Sequence, residues 1–259
     1  MTDCRTRYPL LLLHGLNCRD DCPIYYFGRV PAVLAEHGAV VYLGGQDAWG
    51  TISGNAHWLK DRIQTILAQE KCGKLNIIAH SKGGLEARYL ISQLGMADAV
   101  ATLTTIATPH YGSRTAQHWL EHPQLMAALS AGLEVFWRRL GDQDPQVLTV
   151  LHELTPAAMA RFNAHTPDAP NVYYQSWGLA LGRRYHDPAM ALTRRLILPH
   201  DGENDGLVAP QAARWGHWRG VLEGISHQDV TDCRQKTPAH FHTLTFYQLL
   251  ARQLAAMGF

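Results

Sequence analysis

The residues best suited to carry out chemistry lie in the stretch Ile78-Ala79-His80-Ser81-Lys82-Gly83-Gly84, where a short apolar run meets an amphipathic segment. A serine at a sharp bend between a parallel strand and a helix presents its hydroxyl at the carboxyl edge of the sheet. This bend is a nucleophile elbow, written G-x-S-x-G. The positions two residues before and after the serine must be small, because larger side chains would collide with the neighbouring strand and helix. Ala79, which replaces the first glycine, and Gly83 meet this need. The spacing predicts that Ser81 is a nucleophile.

A nucleophilic serine needs two partners, which the sequence offers further along. A histidine must take the hydroxyl proton, and a carboxylate must hold the histidine in the right tautomer. In doubly wound hydrolases the chain order is serine, acid, histidine, each on a loop beyond a strand. Ser81, Asp205 and His227 obey this order. The alternatives are Asp201 and Glu203 for the acid, and His217, His240 and His242 for the base. Asp205 is preferred because Asn-Asp-Gly forms a tight turn, and His227 because it lies in a polar loop.

A third requirement is a pair of backbone N–H groups that stabilise the oxyanion of the transition state. The apolar run Pro9–Leu13 leads into His14-Gly15-Leu16, a strand-to-loop junction upstream of the serine. We expect the N–H groups of Leu16 and Lys82 to form the oxyanion hole, each contributing about 3–4 kcal/mol. The Lys82 side chain is expected to be exposed to solvent.

The elements that must position these residues alternate between strands and helices. Apolar runs predict strands, and amphipathic segments between them predict helices. The predicted strands lie at 8–13, 39–43, 74–80, 100–109, 171–178 and 195–199, and the predicted helices at 27–37, 54–71, 83–90 and 242–257. This rhythm predicts an α/β fold with a mostly parallel, doubly wound sheet. At 259 residues, the chain fits a single domain spanning 1–259.

The alternation of strands and helices stops at Ser113, where two helical segments follow with no strand between them. They cover 118–140 and 147–165, so we expect a helical lid over about 113–165. The apolar residues of the first segment form a stripe: Leu125, Met126, Leu129, Leu133, Phe136 and Trp137. Such a stripe fits either a helix packed on the sheet or a mobile cap that opens towards lipid.

Composition narrows the function classes further. The net charge of +1 and the absence of a basic run argue against a nucleic-acid partner. No apolar run reaches the roughly 18 residues of a membrane span, and the first residues lack the pattern of a signal peptide. The chain is therefore expected to be cytoplasmic, exported without a leader, or a mature form.

Five cysteines are an odd number, which favours free thiols with one optional Cys18–Cys22 disulfide. A monomer is expected.

The order of motifs along the chain resembles the bacterial true lipases of the Pseudomonas, Burkholderia and Proteus type. The motifs are His14-Gly15-Leu16, Tyr25-Tyr26-Phe27-Gly28, Ala79-His80-Ser81-Lys82-Gly83-Gly84, Thr108-Pro109-His110-Tyr111-Gly112-Ser113, Arg161-Phe162-Asn163, Tyr173-Tyr174-Gln175-Ser176-Trp177, Asp187-Pro188, Asn204-Asp205-Gly206-Leu207-Val208 and His227-Gln228-Asp229. The resemblance implies an α/β-hydrolase fold with a helical lid and supports Ser81, Asp205 and His227 as the triad. It also implies that Leu16 and Lys82 donate to the oxyanion.

The same resemblance implies a structural calcium ion but no cofactor for catalysis. Asp187 and Asp229 match the aspartates that bind the ion in those lipases, and two backbone carbonyls fall near Cys233 and Thr237. Calcium prefers several oxygen ligands, and an ion here would brace the loop that carries His227.

The leading hypothesis is a carboxylic ester hydrolase, a triacylglycerol lipase that works through an acyl-enzyme at an oil–water interface. One alternative is a short-chain carboxylesterase or polyester hydrolase with the same triad. The alternative from a different class is a lipid-binding protein that keeps the fold without turnover.

Overall fold

The core of the molecule is a six-stranded sheet in which every neighbouring pair of strands is parallel. The computed structural model describes residues 3–20, 25–182, 187–235 and 241–259. The strand order is β2-β1-β3-β4-β5-β6. The strands are β1 (Leu10–Leu13), β2 (Val41–Leu43), β3 (Leu75–His80), β4 (Val100–Ile106), β5 (Tyr173–Ala180) and β6 (His217–Glu223). The predicted parallel sheet is confirmed.

Helices cover both faces of this sheet. They are α1 (Val30–Glu36), α2 (Ile52–Glu70), α3 (Gly83–Gln93), α4 (Arg114–Leu120), α5 (Pro123–Arg139), α6 (Val147–Glu153), α7 (Pro156–His165), α8 (Pro188–Asp201) and α9 (Thr243–Ala256). Alternate residues of β1 point to opposite faces: Leu10 and Leu12 pack with α1 and α9, whereas Leu11 and Leu13 pack with α2 and α3. The sheet is therefore doubly wound, as the sequence predicts.

Four helices, α4 to α7, lie between β4 and β5 in the chain and form what we call the helical insertion (residues 114–165). The two predicted helical segments are each divided, because Pro123 and Pro156 open new helices. Proline suits a first helical turn, where its missing N–H leaves no bond unmade. Buried side chains of the insertion pack against Leu85 of α3, so the insertion covers the helix that follows the nucleophile.

The sequence interpretation was wrong at two elements. The apolar run Arg195–Pro199, predicted as a strand, belongs to α8. Asp187 caps this helix, and its buried residues recur at helical spacing rather than alternating. The last strand, β6, was not predicted, and none of its residues is fully buried. Within the described ranges no helix is both long and apolar enough to cross a membrane.

Candidate active site

Ser81 lies at the turn between β3 and α3, at the carboxyl edge of the sheet. Its φ of 54° is left-handed, a conformation that non-glycine residues rarely adopt. Gly83 must be small, because a Cβ there would lie 2.6 Å from the carbonyl oxygen of His14. The backbone thus forms the strained elbow that the sequence predicts.

The structure brings the three predicted residues Ser81, His227 and Asp205 into one hydrogen-bonded chain. The Nε2 atom of His227 lies 2.9 Å from Ser81 Oγ, and its Nδ1 lies 2.7 Å from Asp205 Oδ2. A carboxylate only accepts hydrogen bonds, so Nδ1 carries the proton and Nε2 is free to accept one from the serine. The arrangement can therefore pass the Ser81 proton to the imidazole and stabilise the charge that forms there.

Asp205 is held rigidly in this geometry by the backbone of its own loop. It is fully buried, and its Oδ1 accepts hydrogen bonds from the N–H groups of Leu207 (2.9 Å) and Val208 (2.8 Å). The N–H of His227 donates to the Asp205 carbonyl oxygen at 2.9 Å. Both atoms of the carboxylate are thus engaged, which fixes the orientation of the histidine ring.

The rival residues have other partners. The carboxylate of Asp201 pairs with Arg114 and that of Glu203 with Arg194, so neither is the partner of His227. The ring of His217 stacks on Tyr173, with centroids 4.8 Å apart. His242 immediately precedes α9. The remaining rival, His240, lies outside the described residues, as does Cys22 of the optional disulfide.

The predicted oxyanion loop lies directly against the nucleophile. A Cβ on Gly15 would be 2.7 Å from Ser81 Cβ and 3.2 Å from its Oγ, so only glycine allows this approach. Leu16 lines the cavity into which Ser81 opens. Lys82 follows the nucleophile at the amino end of α3, where free N–H groups favour negative charge. Both predicted donors thus border the reacting hydroxyl.

The side chain of Lys82 departs from the expectation of solvent exposure. It is only 1% exposed, donates to the Gly50 carbonyl oxygen at 2.8 Å and pairs with Glu86 one turn further along. Burying an unpaired ammonium group would cost a large amount of free energy. The hydrogen bond to Gly50 and the ion pair with Glu86 therefore explain how the Lys82 side chain can be buried. The prediction failed because Gly50 reaches the site from a distant loop.

Comparisons with known proteins show that the chain is similar to ester hydrolases. The chain is 30% identical over 283 residues to a triacylglycerol lipase of Vibrio cholerae, spanning 98% of this chain and 89% of that protein. It is 29% identical to triacylglycerol lipase 2 of Saccharomyces cerevisiae, spanning 91% of this chain and 75% of that protein. The family described as "Putative serine esterase (DUF676)" matches residues 43–140. The chain belongs to the triacylglycerol lipase family.

Solved structures support the same fold for this serine ester hydrolase. The Staphylococcus hyicus lipase superposes with a TM-score of 0.76 at 16% identity, covering 96% of each chain. A Bacillus licheniformis lipase superposes with a TM-score of 0.70 at 18% identity, covering 94% of this chain and 91% of the other. At these identities the likeness establishes the α/β-hydrolase fold and nothing finer.

A cavity of about 80 Å³ opens beside Ser81 of this enzyme. Its walls are mainly apolar and come from the predicted oxyanion loop, the helical insertion and the loop after Asp205. They include Leu16, Trp119, Leu151, Leu154 and Val208. An apolar wall next to a nucleophile suits the acyl chain of an ester, because water is displaced from hydrocarbon on both sides.

Sequence reasoning did not assign a role to two residues that lie behind His227, Tyr26 and His80. The hydroxyl of Tyr26 lies 2.6 Å from His80 Nδ1, and the His80 ring packs 4.6 Å from that of His227. Burial lowers the pKa of His80 well below its usual value, and the neighbouring His227 lowers it further. Burial also raises the pKa of Tyr26. Both groups are therefore neutral, and the uncharged His80 ring packs against the ring of His227. The position of His80 directly before Ser81 in the elbow was the sequence feature that could have indicated this contact.

The two aspartates that the resemblance implies as calcium ligands, Asp187 and Asp229, make hydrogen bonds and an ion pair within the protein. Asp187 Oδ1 accepts from the N–H of Met190 at 3.3 Å, and its Oδ2 accepts from Ser226 Oγ (2.9 Å) and pairs with Arg234 (3.0 Å). Asp229 Oδ2 accepts from the N–H of Ser226 at 2.7 Å. Among the described residues no group of three or more acidic, histidine or cysteine side chains is placed to hold a metal ion. Thr237 lies outside the described residues, and the calcium ion stays a prediction.

Proposed function

We propose that this serine ester hydrolase is a triacylglycerol lipase related to the Pseudomonas, Burkholderia and Proteus type, with Ser81, His227 and Asp205 as its catalytic triad. The observation that carries the proposal is the continuous chain of hydrogen bonds from Asp205 through His227 to Ser81 beside an apolar cavity. A binding protein without turnover would have no need for a strained serine in hydrogen-bond contact with a histidine.

In the first half of the reaction, Ser81 Oγ attacks the carbonyl carbon of the ester while His227 Nε2 takes its proton. Negative charge develops on the former carbonyl oxygen, which the N–H groups of Leu16 and Lys82 stabilise. The Asp205 carboxylate stabilises the imidazolium. His227 then gives its proton to the leaving alcohol oxygen, and the acyl group stays on Ser81 as an ester.

In the second half, water replaces the alcohol. His227 Nε2 removes a proton from the water as it attacks the acyl carbonyl, and the same oxyanion donors hold the second tetrahedral intermediate. Collapse of this intermediate returns the proton to Ser81 Oγ and releases the carboxylic acid. One catalytic group thus serves as base and acid in turn, so the cycle needs no catalytic cofactor.

The helical insertion supports action at a lipid surface. On α5, Met126 and Trp137 are buried, whereas Leu125, Leu129 and Phe136 expose 57%, 48% and 52% of their surface. The exposed three recur at helical spacing and form an apolar face that is about half open to solvent. Apolar helix faces of this kind bind at lipid–water interfaces, so we assign α5 as the part of a lid that contacts the emulsified substrate.

A short-chain carboxylesterase is the second candidate. With the helical insertion in its present position, the cavity of about 80 Å³ is small for a long acyl chain. A lipase would widen the cavity by moving the insertion when it meets lipid, whereas an esterase would keep it closed. The two candidates therefore differ in acyl-chain preference and in activation by an interface, with the same triad in both.

The deciding experiment compares emulsified triolein with soluble nitrophenyl butyrate for the wild type and Ser81→Ala. Turnover of triolein that is lost in Ser81→Ala supports the lipase, and turnover of butyrate alone supports the esterase. Labelling with a fluorophosphonate, which reacts only with an activated serine, is the second measurement. A folded wild type that neither turns over ester nor takes the label at Ser81 would refute the catalytic assignment.

We infer that the ion pair between Arg234 and Asp187 stabilises the loop that carries His227. Ser226, which precedes the histidine, donates to the same carboxylate. A calcium ion bound at Asp187 would compete with the guanidinium group, because both cations are attracted to the same carboxylate and repel each other. Calcium binding would therefore be seen as a chelator-sensitive melting temperature, and bracing by Arg234 as a chelator-insensitive one.

A further inference from the structure

A cluster of buried polar side chains lies behind the oxyanion hole, between α3 and the loop that joins β2 to α2. The triad does not use it, and each of its members is at most 3% exposed. We call it the buried polar network, and its members are His14, Gln46, Asn55, Lys82 and Glu86.

Glu86 is the centre of the buried polar network. Its Oε1 accepts from Asn55 Nδ2 at 2.7 Å and pairs with Lys82 Nζ, and its Oε2 accepts from Gln46 Nε2 at 3.2 Å. Burying an ion pair costs several kcal/mol per charge, and apolar side chains of similar volume are often at least as stabilising. Packing alone therefore gives no reason for charged residues at these positions, which suggests that their role is to fix geometry.

One arm of the buried polar network leads to the first predicted oxyanion donor. Gln46 Nε2 also donates to the His14 carbonyl oxygen at 3.2 Å. The His14 ring lies between two carbonyl oxygens, with Nε2 2.9 Å from that of Gln46 and Nδ1 2.8 Å from that of Gly15. A neutral imidazole has one N–H and donates to one of these oxygens, while the ring is in contact with both. The Gly15 carbonyl and the Leu16 N–H belong to one planar peptide unit. A contact that orients this carbonyl therefore orients the N–H of Leu16 as well.

The other arm leads to the second donor. Lys82 supplies the backbone N–H that follows the nucleophile, and its ammonium group is fixed between Glu86 and the Gly50 carbonyl oxygen. The residue is thereby anchored at both its backbone and the end of its side chain. Glu86 thus connects, within the interior, to the side chain of the second donor residue and, through Gln46, to the loop that carries the first.

We propose that Glu86 is a positioning residue for the oxyanion hole, holding the Leu16 and Lys82 N–H groups at the separation that the transition state requires. The inference rests on the proposed function for the assignment of the two donors. Misplacement of a catalytic group by about 1 Å can reduce a rate about 10²-fold. Loss of the buried polar network should consequently weaken binding of the transition state far more than binding of the ester.

The test uses Glu86→Gln, which keeps the shape of the side chain but removes its charge, and Lys82→Met/Glu86→Leu, which removes both buried charges. The control is Asn76→Ala. Asn76 is also fully buried and hydrogen-bonded, to Thr102 at 3.0 Å, but it lies at the amino end of β3, away from the site. All variants are assayed with nitrophenyl butyrate and with two inhibitors of equal chain length. A trifluoromethyl ketone forms an oxyanion adduct with Ser81, and the matching methyl ketone serves as its non-adduct reference.

For both network variants we expect kcat to fall about 10- to 100-fold with KM changed less than about threefold. The inhibition constant of the trifluoromethyl ketone should rise in proportion to the loss in kcat, whereas that of the methyl ketone should stay constant. Asn76→Ala should lower the melting temperature but leave both ketones bound as in the wild type.

Wild-type kcat and ketone affinity in a folded Glu86→Gln or double variant would overturn the inference while leaving the proposed function intact. Failure of both variants to fold would also overturn it, since the buried polar network would then be a requirement for folding. A wild type that hydrolyses no ester would instead refute the proposed function, which keeps the two failures distinguishable.

Discussion

Replacing the exposed apolar residues of α5 should remove binding to lipid surfaces without affecting the chemistry. Leu125, Leu129 and Phe136 each expose about half of their surface. Complete burial of such a side chain contributes about 1.5–3 kcal/mol, so insertion of the exposed half contributes about 1 kcal/mol. The three together give about 3 kcal/mol, which corresponds to a partition constant about 150-fold weaker after Leu125→Gln/Leu129→Gln/Phe136→Gln. Glutamine preserves helix propensity, so α5 should stay folded.

The assay measures sedimentation with triolein emulsion and phosphatidylcholine vesicles, alongside hydrolysis of soluble nitrophenyl butyrate. The matched control is Leu192→Gln/Leu196→Gln on α8, where the two leucines expose 64% and 43% of their surface but lie outside the helical insertion. We expect the α5 variant to lose lipid binding and triolein turnover and to keep butyrate turnover, whereas the α8 variant keeps all three. Equal lipid binding by the α5 variant and the wild type, or an equal loss in the α8 variant, would refute the role of α5.

Three further predictions concern the triad, the buried histidines and the histidine loop. Asp205→Asn should reduce kcat by about 10³- to 10⁴-fold with little change in KM, because an amide no longer selects the tautomer of His227; steady-state kinetics on nitrophenyl butyrate measure this, and a loss below tenfold would contradict it. Burial lowers the pKa values of His80 and His110 well below 6.5, so the unfolded chain binds more protons below that pH. Stability should therefore be complete above pH 6.5 and fall as the pH drops, by up to about 1.4 kcal/mol per pH unit for each histidine. Urea unfolding between pH 7.5 and 5.5 tests this, and a flat profile would exclude it. Arg234→Met should destabilise the fold by about 1–2 kcal/mol, because Asp187 stays buried while its partly exposed partner is lost. Thermal unfolding with calcium and with chelator measures the effect, and a chelator-induced drop in the wild type would instead support a bound ion.

The meeting of Ser81, Asp205 and His227 in one hydrogen-bonded chain could be predicted from the sequence because it follows from the topology. In a parallel sheet every strand ends at the same edge, so residues that follow different strands meet there. Ser81 follows β3 and His227 lies in the loop after β6. Asp205 follows α8, but its loop is tied to the end of β5, because the N–H of Leu181 donates to the Asn204 carbonyl oxygen at 3.0 Å. Chain order and residue type were thus sufficient, even though β6 itself was not predicted.

The missed strand and the misassigned helix have separate physical causes. β6 contains Arg219 and Glu223 as well as Gly220 with a φ of 116°, and it forms the edge of the sheet. An edge strand buries little of either face. The exposure of β6 does alternate, with Trp218, Gly220 and Leu222 half-buried, but a glycine on the inner face and Val221 on the outer face hide this alternation in the sequence. In α8 the run Leu196-Ile197-Leu198 is typical of a strand by composition, but only Ile197 is buried. The spacing of buried residues in α8 is set by the elements that pack against the helix, which the sequence does not show.

The burial of Lys82 shows why the charged residues of α3 could not be interpreted locally. A lysine and a glutamate four positions apart usually mark the solvent face of a helix, but α3 lies between the sheet, α2 and the helical insertion and is buried from Gly83 to Arg88. Lys82 and Glu86 pair with each other, and each also has a polar partner from elsewhere in the chain, Gly50 and Asn55 respectively. Arg88 is a second case: burial lowers its pKa to about 10, and its guanidinium group packs 3.6 Å above the centre of the Trp215 ring. Such partners come close only in the tertiary fold. The sequence therefore shows that α3 carries charged residues, but it could not predict that Glu86 would be buried beside the proposed oxyanion hole.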